Sequence, residues 1–282
     1  MIHARRNTAP KTKAIRYTES EVELLKNLWP VATTQELLDS FPGRSQIGLI
    51  QKAASLGLKS LVPRFRRGNL RPLLDGSIQS FYWLGFVLAD GHITKTGQLT
   101  ISVMEHDDQH LQAFASYIRA KVRTPYRRAS SYATSSFMTN ERLRLVRRVS
   151  VQDPHTCLAI RETLGLSSTN KTVNPPDPGA IKRLSSDNAL SLFIGFFDGD
   201  GSTVTTKFGG HVENHRSWFD VHMAFFDLGL TSQPIITSKG TSYSYVPKSV
   251  MRRSADFIQS NAMSVLNRKW AMWINESSTR DK

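Results

Sequence analysis

Two Asp-Gly pairs, at Asp90 and at Asp200, each close an apolar run of helix length. The runs are Phe81-Tyr-Trp-Leu-Gly-Phe-Val-Leu-Ala-Asp-Gly91 and Ser191-Leu-Phe-Ile-Gly-Phe-Phe-Asp-Gly-Asp-Gly201. One Asp-Gly is a common turn and helix stop, and alone it would carry no chemistry. Two of them behind the same kind of helix form an internal repeat. Each run also carries small residues four apart, Gly85 with Ala89 and Gly195 with Gly199. Positions i and i+4 share a helix face, and small side chains there let two backbones approach closely. The repeats are therefore expected to pack on each other through these four residues and to bring their acidic ends together. A helix C-terminus already carries partial negative charge, so two carboxylates at two such ends repel. A hard divalent cation at Asp90 and Asp200 would offset that repulsion. Mg²⁺, held by one or two carboxylates and completed by phosphate oxygens and water, suits so sparse a site.

Charge points to the kind of partner. The chain has 282 residues, with 37 Lys+Arg against 23 Asp+Glu, a formal net charge of +14. A polyanion is the natural counterpart. Half of that excess falls within residues 1–70. A lone cysteine, Cys157, excludes an internal disulfide framework and a thiolate zinc cluster, and the histidines show no HxxxH or similar metal spacing. His211, His215 and His222 read as surface or core residues. No apolar stretch approaches the ~18 residues of a membrane span, and the start, MIHARRNTAPKTK, has no apolar signal core. A cytoplasmic protein with no membrane partner is expected.

The elements that must position the acids follow from periodicity. Residues 1–15 are polar, basic and aperiodic, and are expected to form a disordered arm. Thr18 with Glu21 makes a capping box ahead of Val22, Leu25, Leu28 and Trp29 at helical spacing, and Pro30 stops that helix. A second helix opens at Thr33 or Thr34 and passes through Leu37 and Leu38. A third runs from Gln46 to about Leu56 and closes at Gly57. Three short helices over residues 16–60 read as a helix-turn-helix. Its third helix would enter the major groove with Arg44, Ser45, Gln46, Gln51 and Lys52; a small helical interaction module is the alternative. Residues 61–76, rich in Arg and Pro, read as a basic linker in which Arg64, Arg66 and Arg67 track phosphates or form a solvated charge run.

After Gly91, Gln98–Met104 alternates as a strand. His106 to about Lys121 is helical through Leu111, Phe114 and Ile118. Arg142–Ser150 alternates basic with apolar, presenting Arg142 and Arg144 while Leu143 and Leu145 are buried. In the second repeat a hairpin turns at Gly209-Gly210, and Ser217–Leu228 is a helix through Trp218, Val221, Phe225 and Phe226. Another hairpin turns at Lys239-Gly240 before the alternation Ser-Tyr-Ser-Tyr at 242–245. Such sheets would face DNA with Arg142, Arg144 and Lys239.

The segments Trp83-Leu-Gly-Phe-Val-Leu-Ala-Asp-Gly91 and Phe193-Ile-Gly-Phe-Phe-Asp-Gly-Asp-Gly201 resemble the signature of the LAGLIDADG homing endonuclease family, a nine-residue helix ending in an acid and glycine. The first copy carries Leu88 where the signature has another acid, a position that is not the catalytic one. The front of the chain is similar to the Myb/SANT-like helix-turn-helix of phage and mobile-element nucleases. Two copies in one chain imply the monomeric form and an α+β fold. Two pseudo-two-fold-related αββαββα halves, residues 77–180 and 181–275, would carry saddle-shaped antiparallel sheets, with a tail at 276–282.

The resemblance implies Asp90 and Asp200 as metal-binding catalytic acids, with the carbonyls of Ala89 and Gly199 as further ligands. It also implies a lysine near each site. Lys171 and Lys269, each following the last helix of its half, are the candidates to stabilise the developing phosphorane charge or position water. The implied activity is Mg²⁺-dependent hydrolysis of double-stranded DNA at a long asymmetric site, leaving short 3′ overhangs, with Mn²⁺ able to substitute. Two rivals share that fold, a non-cleaving DNA-binding regulator and an RNA-splicing maturase; retention of both acids favours the nuclease.

Overall fold

The expected capping box starts helix α1 (Glu19–Leu28): the Thr18 hydroxyl accepts from the Glu21 amide, and the Glu21 carboxylate accepts from the Thr18 amide. Helix α2 (Thr34–Ser40) and α3 (Gln46–Ser55) follow, with Gly43 between them at φ +84°, a conformation that favours glycine. The three helices close on Leu25, Trp29, Ala32, Leu37, Phe41, Leu49 and Ala53, a core of their own. The computed structural model describes residues 16–32, 34–60, 68–128, 144–167, 169–203 and 209–278. The arm at 1–15, Arg64, Arg66, Arg67, Arg142 and Leu143 lie outside them, as does the side chain of Arg144.

The chain divides into two units, Met1–Phe65 and Arg66–Lys282. The stretch read as linker differs in its second part. Leu70 and Leu73 are fully buried in the larger unit's core, and the Tyr117 hydroxyl donates to the Pro72 carbonyl at 2.7 Å. Leu70, the N-cap of a short 3₁₀ turn over Arg71–Leu74, and Leu73 within that turn anchor this segment by burial.

The larger unit repeats one order of elements. The first pass is α4 (Ile78–Asp90), β1 (Gly91–Ile93), β2 (Gln98–Met104), α5 (Asp108–Tyr117), β3 (Arg123–Arg128), β4 (Arg144–Gln152) and α6 (Pro154–Thr163). A short α7 (Pro178–Lys182) leads to the second pass. This is α8 (Ser186–Asp200), β5 (Gly201–Thr203), β6 (Gly210–His215), α9 (Phe219–Asp227), β7 (Ile235–Ile236), β8 (Thr241–Val246) and α10 (Lys248–Ser260), after which α11 (Asn267–Ser278) closes the unit. Both passes read αββαββα, as expected. Each makes a four-stranded antiparallel sheet, ordered β1-β2-β4-β3 and β5-β6-β8-β7. The helices expected at 106–121 and 217–228 start later than their apolar pattern, because a 3₁₀ turn precedes each (Glu105–Asp107 and Arg216–Trp218), and the first also ends early, at Tyr117, before Arg119 takes a positive φ of 50°.

One face of each sheet is covered by helices. Leu99, Ile101 and Val103 of β2 pair with Val151, Val149 and Arg147 of β4 on that face, and Leu145 shares it by alternation. In the second sheet Val212, Ser242, Ser244 and Val246 are buried, while Tyr243 and Tyr245 face outward. The centre of the core is the pair α4 and α8, whose Trp83, Phe86, Phe193, Phe196 and Phe197 are all essentially without solvent contact.

Candidate active site at the paired helix ends

Helices α4 and α8 start alike, with Ser77 and Ser185 as N-caps, and end alike at Asp90-Gly91 and Asp200-Gly201. Between those ends their backbones touch. A methyl group on Gly85 would lie 1.9 Å from the Leu192 carbonyl oxygen, and one on Gly195 would lie 1.8 Å from that of Tyr82. One on Gly199 would meet the Ala89 methyl at 2.2 Å. All four small residues therefore sit at the contact for want of space. The closing glycines have a related reason: Gly91 and Gly201 keep ordinary negative φ, but a methyl group there would strike Val87 O at 2.5 Å and the Phe197 ring at 2.2 Å. The Ser191 hydroxyl donates across the seam to Ile78 O at 2.6 Å.

This packing brings Asp90 and Asp200 together. Asp90 is open to solvent on one side and packed on the others; its carboxylate lies against Gly199 at the end of α8. Desolvation of the packed side and the charge of Asp200 push the Asp90 pKa up to about 6. Asp200 is half-buried and is also pushed up by burial, against the pull of Lys171 and the amide of Asn214. The repulsion belongs to the pair rather than to Asp90 alone.

Lys171 and Lys269 form the matching basic pair. The Lys171 ammonium donates to the carbonyls of Val87 (3.3 Å), Leu88 (2.5 Å) and Ala89, and the Lys269 ammonium donates to those of Phe197 (2.8 Å), Asp198 (2.6 Å) and Gly201 (2.6 Å). An ammonium has three donors, so each lysine is fully occupied by carbonyls at, or one residue past, the C-terminus of one helix. Each places a positive charge where the macrodipole is negative and where an acid stands. Burial lowers both lysines to about 8. Lys171 is held in turn by Trp218, whose indole N–H donates to the Lys171 carbonyl at 2.9 Å. The Ala89 carbonyl, one of the two expected as extra metal ligands, accepts from Lys171; among the described residues no side chain donates to that of Gly199.

Asp198 and Asn214 are residues the sequence reading passed over. Asp198 is fully buried and accepts from the Tyr82 hydroxyl (2.7 Å), the Leu266 amide (3.0 Å) and the Trp270 indole (2.6 Å), tying α8 to α4 and α11. Its counterpart is the apolar Leu88. The Asn214 amide donates to Asp200 at 2.8 Å, from the helix-covered face of β6. The available signal was parity, since Asn214 stands two residues from the buried Val212. Beside the site, Arg268 makes a two-pronged ion pair with Asp107, both bonds 2.9 Å.

The other candidate residues separate into engaged and exposed. Arg44, expected at DNA, is bound to the Glu21 carboxylate by two bonds of 2.8 and 2.7 Å and lies 4.2 Å over the Tyr17 ring. That bond holds the Glu21 pKa down at about 2. Ser45 caps α3 through the Gly48 amide. Gln46 and Gln51 are exposed, Lys52 is half-buried, and Ile47, which the sequence reading missed, is 66% exposed beside them. Arg144 lies at the end of β4, paired with Arg128, and Lys239 is exposed in the β7–β8 turn. On the open face of the first sheet, Arg148 bonds Ser102 (3.0 Å) and the Tyr126 hydroxyl.

Two oxygen acids with no nitrogen or sulfur ligand beside them suit a hard cation. Among the described residues no group of three His, Cys, Asp or Glu gathers to hold a softer one. The chain is similar to solved homing endonucleases. The meganuclease I-SmaMI, in a double-mutant form, shares 10% identity at TM-score 0.42, covering 71% of this chain and 91% of that one. The homing endonuclease I-DmoI, in complex with DNA and Ca, shares 13% at TM-score 0.41, covering 70% and 98%. The LAGLIDADG meganuclease I-AabMI, bound to uncleaved DNA, shares 11% at TM-score 0.41, covering 71% and 91%. No family model and no curated protein matches the sequence.

Proposed function

We propose that this protein is a LAGLIDADG homing endonuclease that hydrolyses double-stranded DNA at a long, asymmetric site. The observation that carries the reading is the meeting of Asp90 and Asp200 at two helix ends, each end capped by its own lysine. Folding alone disfavours two adjacent acids at negative helix ends, so their retention points to a positively charged ligand. Asp90 and Asp200 would hold Mg²⁺, or Mn²⁺ in its place; such an ion, when bound, supplies Lewis acidity toward a phosphodiester and lowers the pKa of water.

The chain's own residues do the rest. The glycine seam fixes the spacing of the two carboxylates. Lys171 and Lys269 neutralise the helix-end carbonyls, which keeps both acids ionised more readily near neutral pH than burial alone would allow. With their donors occupied, the two lysines act through charge at the site. Short 3′ overhangs are the expected product. Residues 16–60 would act as a helix-turn-helix, reading the major groove through Gln46, Gln51 and Lys52, and the two open sheet faces would read the rest of the site. The chain would work as a monomer, since it carries both acids itself. Among the described residues no helix is long and apolar enough to cross a membrane.

The test is Mg²⁺-dependent cleavage of a pooled DNA library, with the cut ends sequenced. Discrete cuts with short 3′ overhangs, lost in Asp200→Asn, support the nuclease. Binding without a cut supports a regulator, and RNA splicing without DNA cleavage supports a maturase; either outcome overturns the proposal.

A further inference from the structure

Behind Asp200 runs a row of hydrogen bonds that has no counterpart behind Asp90 among the described residues. The Asn214 side-chain N–H₂ donates to Asp200 at 2.8 Å, and its carbonyl oxygen meets His222 Nε2 at 2.9 Å. His222 Nδ1 in turn meets the Ser242 hydroxyl at 2.9 Å. His222 and Ser242 are both fully buried. The pattern of donors leaves one assignment: Nε2 carries the proton toward the Asn214 oxygen, and Nδ1 accepts from Ser242. An asparagine amide has nearly the same shape either way round. An ionised Asp200 only accepts, which turns the N–H₂ toward it, and the Nε2–H form of His222 holds the amide in that orientation.

The register identifies the matching positions in the first half. Gly91 pairs with Ile101 and Gly201 pairs with Val212, so Asn214 corresponds to Val103. Val103 pairs with Arg147 as Asn214 pairs with Ser242, and the fourth residues of α5 and α9 are Leu111 and His222. The first half therefore fills these places with Val103, Leu111 and Arg147. Arg147 turns to Asp108, with a closest approach of 3.5 Å. Among the described residues no side chain donates a hydrogen bond to Asp90.

We infer that Asn214, oriented by His222 and Ser242, is a positioning residue for Asp200, and that this one-sided support makes the protein cut its two DNA strands at unequal rates. The inference rests on the nuclease reading above. A carboxylate whose rotation is fixed by a neutral donor enters the reaction already oriented, whereas Asp90 must be oriented on binding.

The experiment follows the two strands of one duplex under separate end labels. Asn214→Val and His222→Leu give the second half the residues the first half already uses. Each is expected to slow one strand by about ten-fold while the other stays within about two-fold, so nicked DNA accumulates. His222→Gln, which keeps an N–H donor toward Asn214, is expected to restore most of that rate. Ser242→Ala, a smaller change, serves if either substitution unfolds the protein, and should slow the same strand more weakly. Equal slowing of both strands, or none, overturns the inference. Nitrogen NMR of His222 in the free, full-length protein tests the row without any DNA: the neutral Nε2–H form is expected, and the Nδ1–H form overturns it. A wild-type chain that cuts no DNA instead removes the nuclease reading beneath it.

Discussion

The open face of the first sheet carries Thr100, Ser102, Tyr126, Arg148 and Ser150, joined by the bonds from Arg148 to Ser102 and Tyr126 and from Thr100 to Ser150. The open face of the second carries His211 stacked on Tyr243 at 4.9 Å, Tyr243 edge-on to Tyr245 at 4.9 Å, and Ile235, 56% exposed. The first face sets a guanidinium among hydroxyls beside Val146, and the second sets aromatic and aliphatic surface beside the exposed Glu213. Their interiors differ too, with Leu88 in one half where Asp198 anchors the other. At the seam they stay alike, with only glycine or alanine at the four contact positions, because even a methyl group on Gly85, Gly195 or Gly199 would meet the facing helix within 2.2 Å. Close backbone contact thus holds the halves alike where they meet, while away from it they differ.

The largest expected effect breaks the part the halves share. Asp90→Asn and Asp200→Asn should each reduce double-strand cleavage by on the order of 10³-fold or more, with gel-shift affinity nearly unchanged. Retained cleavage in either variant would remove that acid from the site. Gly195→Ala should destabilise the fold by more than about 3 kcal/mol in thermal or chemical unfolding, since its methyl group meets backbone that cannot move away.

Asp198→Leu tests whether the second interior can adopt the first half's solution. It strands three buried donors, from Tyr82, Leu266 and Trp270, and should cost about 3 kcal/mol or more by the same measurement. An unchanged melting temperature would mean that the network is dispensable.

A milder effect concerns pH. Asp90 has a folded pKa of about 6, above its unfolded value, so the folded state holds this proton more tightly. The stability this group contributes is full at low pH and is lost as pH rises through about 6. Without metal near pH 7.5, Asp90→Asn should therefore melt higher than wild type, and the difference should vanish near pH 4. Cleavage should run the other way, falling as the pH drops and Asp90 takes up its proton, at a pH that added Mg²⁺ shifts downward.

The smallest effect separates the two open faces. Arg148→Ala should lower the salt dependence of DNA binding by about one unit of slope, whereas Tyr243→Ala should weaken binding and leave the slope unchanged. Identical behaviour of the two variants would erase the contrast between the sheets.

Much of the fold was legible in the sequence because the signals are local. The Thr18–Glu21 capping box spans three residues, strand Gln98–Met104 declares itself by alternation, and the small pairs Gly85 with Ala89 and Gly195 with Gly199 mark one face of one helix each. The repeated Asp-Gly located both acids, and the order of segments after each predicted a sheet pair. The roles of partner side chains were not legible. Arg44 is taken by Glu21, which precedes it by two helices; Lys171 and Lys269 reach back to helix ends more than sixty residues away; and Asn214, His222 and Ser242 come from three separate elements. Capping and periodicity are set by residues within a turn or two of each other, so the sequence alone determines them. Which donor meets which acceptor in a buried, low-dielectric site depends on how the strands and helices register against one another, and only the tertiary structure decided that.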